Sequence, residues 1–240
     1  CGQVISLTEK SIERRLKQKI EFDTYDVSVC QEYVDSLKTH DLIIRHQFKW
    51  FNAVSITIDS DTSTNDSVIS FSTGLAGNRN DHSIESEELS PFREAFHDVM
   101  LDLAHQIVRD GEGATKFVEV RVSGAENNKA AKTIALAIAN SPLVKTAIAG
   151  EDPNWGRIIM AIGKANVHLN LNKLAINFGK IKVIENGQLY SKYEEIIVAE
   201  YMKEQKIDLT VDLNVGRKSF TAYTMDLTKK YIEINADYRS

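Results

Sequence analysis

The chain is poor in cysteine: Cys1 and Cys30 are the only two in 240 residues. Two thiols make no disulfide framework, and such sparing use suits a reducing compartment, so a cytoplasmic location is expected. No apolar run approaches the roughly 20 residues that span a bilayer, and no signal-type hydrophobic region is visible, so no membrane role is expected. The net charge is −5 and no block of Lys and Arg stands out, which speaks against a nucleic-acid footprint. The Walker loop, the dinucleotide fingerprint, HExxH and CxxC are all missing, so phosphate, nicotinamide and zinc chemistry have no support. His46, His82, His97, His105 and His168 are scattered without metal-ligand spacing and read as solvated or core side chains. Neither a metal nor a cofactor is expected. Internal repeats and low-complexity tracts are also missing.

What is present is an ordinary globular composition, 42% hydrophobic and 26% charged. A chain of this length can bury a full core as one large domain or two small ones. It opens on Cys1-Gly2-Gln3-Val4-Ile5-Ser6-Leu7-Thr8. A start on cysteine rather than methionine leads one to expect that an upstream segment has been removed. A thiol and an α-amine on one residue form a nucleophile with its own base, since the amine titrates at about 7.7–8 and the thiol at about 8.5. Three other readings stand beside this: a residue left by experimental cleavage, a surface thiol, and the lipid-bearing first residue of a lipoprotein.

Periodicity predicts a mixed order of elements. Ile12, Leu16 and Ile20 share one face of a helix over 8–20 behind the N-cap Thr8. One or two short helices are expected within 21–50. Val54, Ile56 and Ile58 alternate with polar residues as in a strand, and 67–72 reads as a second strand. Between them lies a polar run, Asp59-Ser60-Asp61-Thr62-Ser63-Thr64-Asn65-Asp66, either an ordinary loop or a site for a metal or ammonium. Residues 74–89 read as loop. Ser90 as N-cap and Pro91 at the first helical position start a helix over 91–109, with Phe92, Phe96, Val99, Met100, Leu103 and Ile107 as its apolar face. It stops at Asp110-Gly111-Glu112-Gly113.

A strand at 117–122 and an alanine-rich helix at 128–139 follow. The apolar run 143–149 reads as a buried strand. Residues 150–157 read as a structural turn anchored by Trp155, opening a short helix through Ile162. Strands are expected at 174–178 and 181–184, with 185–188 as a hairpin turn. A helix is expected at 193–203, a hairpin of 207–215 with 219–226 across Gly216-Arg217, and a last strand at 230–235. With no regular βα repeat, the class expected is α+β rather than a doubly wound sheet.

Several of these stretches resemble the β-chain of the ornithine acetyltransferase (glutamate N-acetyltransferase) family. Asp61-Thr62-Ser63-Thr64-Asn65-Asp66 is similar to its DTSTND loop. Ile107-Val108-Arg109-Asp110-Gly111-Glu112-Gly113-Ala114-Thr115-Lys116 is similar to its acidic, glycine-rich segment. Asn140-Ser141-Pro142-Leu143-Val144-Lys145-Thr146-Ala147 and the following 150–157 resemble its NSPLVKTA and GEDPNWGR motifs. Asn235-Ala236-Asp237-Tyr238-Arg239-Ser240 resembles its tail. The likeness runs in order over about 51–240.

At the front, Cys1, Val4-Ile5 and Thr8-Glu9 fall at the offsets of the family's β-chain start, which begins on a threonine freed by self-cleavage. Two departures stand out: cysteine replaces that threonine, and an extra stretch lies around 24–44.

The resemblance implies a layered, αββα-like self-cleaving fold. The division it suggests is 1–165, with the nucleophile and main sheet, and 166–240, a smaller α+β region. It implies a ping-pong N-acetyltransferase of arginine biosynthesis, with Cys1 taking acetyl from N2-acetylornithine and passing it to glutamate. Glu112 would meet the cationic ornithine amine, and Asn235 and Ser240 would hold the amino-acid end of these small substrates. An α-chain from the same precursor would supply the oxyanion hole, in an αβ unit doubled to α2β2 or larger. The alternative is an N-terminal-nucleophile amidohydrolase, or an acyltransferase of the same family acting on another N-acylated amino acid.

Overall fold

The computed structural model describes residues 55–61 and 87–237. The expected elements at 8–20, 21–50 and 67–72, the loop residues 62–66, and Cys1 and Ser240 lie outside the described residues. The chain clusters into two compact units: Asn52–Thr228 is one, and Lys229–Ser240 belongs to the other.

Among the described residues, the larger unit is built on one mixed sheet of seven strands: β1 (Ser55–Ile56), β2 (Phe117–Ala125), β3 (Ala175–Phe178), β4 (Ile181–Glu185), β5 (Gln188–Leu189), β6 (Lys206–Asp212) and β7 (Lys218–Met225). Their spatial order is β1-β7-β2-β6-β3-β4-β5. The helices are α1 (Ser90–Arg109), α2 (Asn128–Ala139), α3 (Pro142–Ala149), α4 (Trp155–Lys164), α5 (Glu195–Tyr201) and α6 (Lys229–Ala236). This is the α+β class the sequence led us to expect. An αββα layering contains two sheets, and the described residues form one.

Alternation along β2 decides which face is buried. Val118, Val120 and Val122 point to one side and are fully buried, in register with Ile207, Leu209 and Val211 of β6. On that side lies α2, whose Ala131, Ile134, Ala135, Ile138 and Ala139 form a single apolar stripe. Small residues in the stripe let the helix approach the strands closely. Asn127 caps it by accepting from the Ala130 amide at 2.8 Å. Helices α3 and α4 pack against α2. The other face of β2 carries Phe117, Glu119 and Arg121. There His105 of α1 stands edge-on to Phe117 at 5.0 Å and to Tyr223 at 4.5 Å.

Four expectations are corrected. Residues 143–149 form helix α3, not a strand. Ser141 caps it from the side chain and Pro142 opens it, and Val144, Ala147 and Ile148 are buried while Leu143 and Thr146 face outward, a helical period. Strands β6 and β7 do not form a hairpin, because β2 lies between them, parallel to β6 and antiparallel to β7. The connection crosses the end of β2, where Leu213 donates to Ser123 O at 3.0 Å and Gly216 to Gly124 O at 2.7 Å. A Cβ on Gly216 would lie 2.1 Å from the Ala125 carbonyl oxygen, so only glycine fits this crossing.

The last segment is helix α6, not a strand. Only Ile234 is buried in it, and Asn235 bonds back to the Tyr231 carbonyl four residues earlier. The fourth correction concerns α1. The helix stands where expected, starting at Ser90, but Ser90 is not its cap, and its buried residues are Ala104 and Val108. Phe92 and Val99, assigned to the inner face, are 58% and 57% exposed.

Candidate functional site

Helix α1 ends at Arg109, where the Asp110 amide closes the last turn onto Gln106 O at 2.9 Å. The chain then turns through Gly111, Glu112 and Gly113. Gly113 has φ 72°, a left-handed conformation that glycine adopts without strain. Gly111 is needed for room: a Cβ there would come within 2.2 Å of Met225 Sδ and 3.4 Å of Ile58 Cδ1. Glu112 is thus carried, half-buried, on a turn pressed against the ends of β7 and of the segment after β1.

The turn is fastened by a buried carboxylate. Asp226, 0% exposed, accepts from Thr115 N at 2.8 Å, Thr115 Oγ1 at 2.6 Å and Lys116 N at 2.9 Å. Thr228 Oγ1 donates to Gly113 O at 2.7 Å. Lys116 is buried, and its Nζ donates to Glu151 Oε1 at 3.2 Å and Glu204 O at 3.2 Å. The three donors on Asp226 take the place of the water shell that a buried carboxylate lacks.

A second buried cation lies two residues up the strand. Lys145 of α3 donates from Nζ to Thr224 Oγ1 at 2.9 Å and to Ile58 O. The Thr224 hydroxyl in turn donates to Ala139 O at 3.2 Å. Burial pushes the Lys145 ammonium down to about 8, against the opposing pull of the Asp226 and Asp59 carboxylates. Asp59 and Asp61 open the polar run singled out in the sequence, and the Asp61 amide donates to Asp59 Oδ1 at 3.0 Å. Three segments therefore meet at the end of β7: Ile58 just before the polar run, residues 111–116, and Lys145 of α3.

Residues 150–157 serve structure, as expected. Asn154 caps α4 by accepting from Arg157 N at 3.2 Å, and Arg157 holds Leu143 O at 2.9 Å and Thr146 Oγ1 at 3.2 Å. Of the predicted site residues, Glu112 lies in the larger unit and Asn235, exposed on α6, in the other. Cys1 and Ser240 lie outside the described residues. Sequence reasoning did not single out Lys145, Thr224 or Asp226. The signal for Lys145 was a charge inside an apolar run, at a position that a helical reading turns inward. No group of three or more His, Cys, Asp and Glu among the described residues is arranged to hold a metal ion. No helix among them is long and apolar enough to cross a membrane.

A family model described as "ArgJ family" matches residues 25–240. The arginine biosynthesis bifunctional protein ArgJ of Ruegeria pomeroyi is 55% identical over 192 residues, 80% of this chain and 45% of that protein. The protein of the same name from Agrobacterium fabrum is 52% identical over 189 residues, 78% of this chain and 46% of that protein. The chain thus spans about half the length of the curated relatives it matches. The crystal structure of arginine biosynthesis bifunctional protein argJ from Bacillus halodurans aligns with a TM-score of 0.73 and 36% identity, over 88% of this chain and 95% of that one.

Proposed function

The chain belongs to the ArgJ family, and from that premise we propose that it is the acyl-carrying part of an N-acetyltransferase of arginine biosynthesis. The reaction is transfer of acetyl from N2-acetylornithine to glutamate. The observation that carries this reading is the Glu112 turn, an acidic side chain between two glycines, fastened at Asp226 and placed beside Ile58. A carboxylate there suits the ammonium at the end of an ornithine side chain.

In this reading Cys1 is the carrier. Its sulfur attacks the acetyl carbonyl, its α-amine takes the thiol proton, and ornithine leaves with a proton on its nitrogen. The amine of glutamate then attacks the thioester, and the proton it sheds returns to the sulfur. A thioester is more activated than an ester toward an amine and also toward water, so the site must exclude water. Support for Cys1 is chemical, a thiol and an α-amine on one residue; it precedes the span matched by the family model and lies outside the described residues. Asn235 and Ser240 hold the amino-acid end of the substrates. An α-chain from the same precursor supplies the oxyanion hole, in an αβ unit that doubles or assembles further, in the cytoplasm. Within the chain, 1–165 carries the nucleophile, and 166–240 completes the sheet with β3–β7.

Mass spectrometry of the complete enzyme, trapped with acetylornithine in the absence of glutamate, tests the carrier. One acetyl group on the Cys1 peptide is the expected result. An acetyl on another residue overturns Cys1 as carrier, and none anywhere under turnover overturns ping-pong transfer.

A further inference from the structure

Residues 224–228 form a short support with two sides. On one, Thr224 receives the Lys145 ammonium, which also takes the carbonyl of Ile58, and the Leu227 amide donates to Lys145 O at 3.2 Å. On the other, Asp226 and Thr228 bind the Gly113–Lys116 backbone. The pairing of β1 with β7 runs one step further, with Thr57 N donating to Tyr223 O at 3.0 Å, and then gives way. The next carbonyl, Ile58 O, is taken by a lysine side chain from α3 instead of a strand amide. Lys145 is 2% exposed, and Thr224 is 1% exposed. An isolated ammonium is expensive to bury, and a methionine of similar shape would fill the space without that penalty. What methionine lacks is a hold on the two acceptors, Thr224 Oγ1 and Ile58 O.

We infer that Lys145 is a positioning residue that couples the Asp59 loop to the Glu112 turn through the end of β7. Its ammonium sets where the chain leaves β1, and the same strand end, through Asp226 and Thr228, sets where Glu112 stands. The two loops are thereby held in one register although neither forms a ladder with the other. The coupling itself is mechanical, while its bearing on substrate rests on the proposed role of Glu112.

Hydrogen exchange on the complete enzyme tests it with Lys145→Met and Lys145→Arg. The Met variant is expected to exchange about tenfold or more faster at 58–61 and also at the Thr115 and Lys116 amides, which Lys145 does not touch, with the amides of α2 unchanged. The Arg variant, which restores a cation and donors, is expected to recover most of that protection. Faster exchange at 58–61 alone, or at neither segment, overturns the coupling. If Lys145→Met does not fold, Thr224→Val, which keeps the cation and removes one acceptor, is read in the same way against the same two segments. Kinetics on the folded variants give the second readout: a rise of about tenfold in KM for the acetylated donor, with kcat changed less, and recovery in Lys145→Arg. Wild-type enzyme that transfers no acetyl group would sink the proposed function and leave the exchange result to decide the coupling.

Discussion

The centre of the sheet and its end at residues 224–226 exclude water to the same degree and are held by opposite means. Val118, Val120 and Val122 are 0% exposed, and so is Asp226, with Lys145 at 2%. At the centre, apolar side chains of β2, β6 and α2 interlock, and the stabilisation is non-directional, scaling with area removed from water. At the strand end, a carboxylate and an ammonium are buried with directed partners: three donors on Asp226, and a hydroxyl and a carbonyl for Lys145. The centre tolerates approximate shape. The strand end fixes the angle and place of each loop, and does so at a desolvation cost. Glu112 hangs from the second kind of core, which suits the substrate-binding role proposed for it.

The largest effect should come from Asp226→Ala. It leaves Thr115 N, Thr115 Oγ1 and Lys116 N without their acceptor, and about 5 kcal/mol of unfolding free energy should be lost, read from urea titration. A loss near 1 kcal/mol would mean that water replaces the carboxylate and that the strand end is not a second core. Ile134→Ala cuts a fully buried side chain from the α2 stripe and should cost about 4 kcal/mol by the same measurement. Its damage should fall on stability, leaving exchange at 58–61 and 111–116 in proportion to global unfolding, whereas the Asp226 variant should loosen 111–116 first.

A third test uses pH. The Lys145 ammonium titrates at about 8 in the fold and at its ordinary value when unfolded. Between those values the unfolded chain binds more protons than the folded one, so stability from this group rises with pH. Relative to Lys145→Met, the wild type should gain about 3 kcal/mol as pH goes from 8 to 10.5, and the difference should be flat below pH 7. A difference that falls over that window would contradict the burial of the cation. The smallest effect belongs to the polar face of the sheet, where Arg121, 60% exposed, pairs with Glu119 at 3.6 Å. Arg121→Ala should change stability by less than about 0.5 kcal/mol, because water screens the pair.

The contrast between the two buried regions also explains what the sequence could tell. The apolar centre announces itself by period: 117–122 alternates as a strand, and 128–139 repeats as a helix, and both stand where expected. Residues 143–149 misled because a short apolar run fits either element. The deciding signal, Ser141 followed by Pro142 at a helix start, lay just upstream. The pairing of 207–215 with 219–226 misled because Gly216-Arg217 is local hairpin chemistry, while the insertion of β2 between those strands is a long-range fact. The Glu112 turn was legible from its two glycines and from the family resemblance. Its support was not, because a single Asp at a strand end or a Lys in an apolar run carries no period. Their burial appears only when α3, β7 and the 111–116 turn are brought together.

The most direct test of the proposed activity is to follow acetyl-labelled acetylornithine in the complete enzyme with glutamate present, and to measure where the label goes. The account predicts acetylglutamate formed mole for mole with ornithine released. Ornithine released at an unchanged rate, with the label recovered as free acetate, would contradict transfer and leave a hydrolase on the same scaffold.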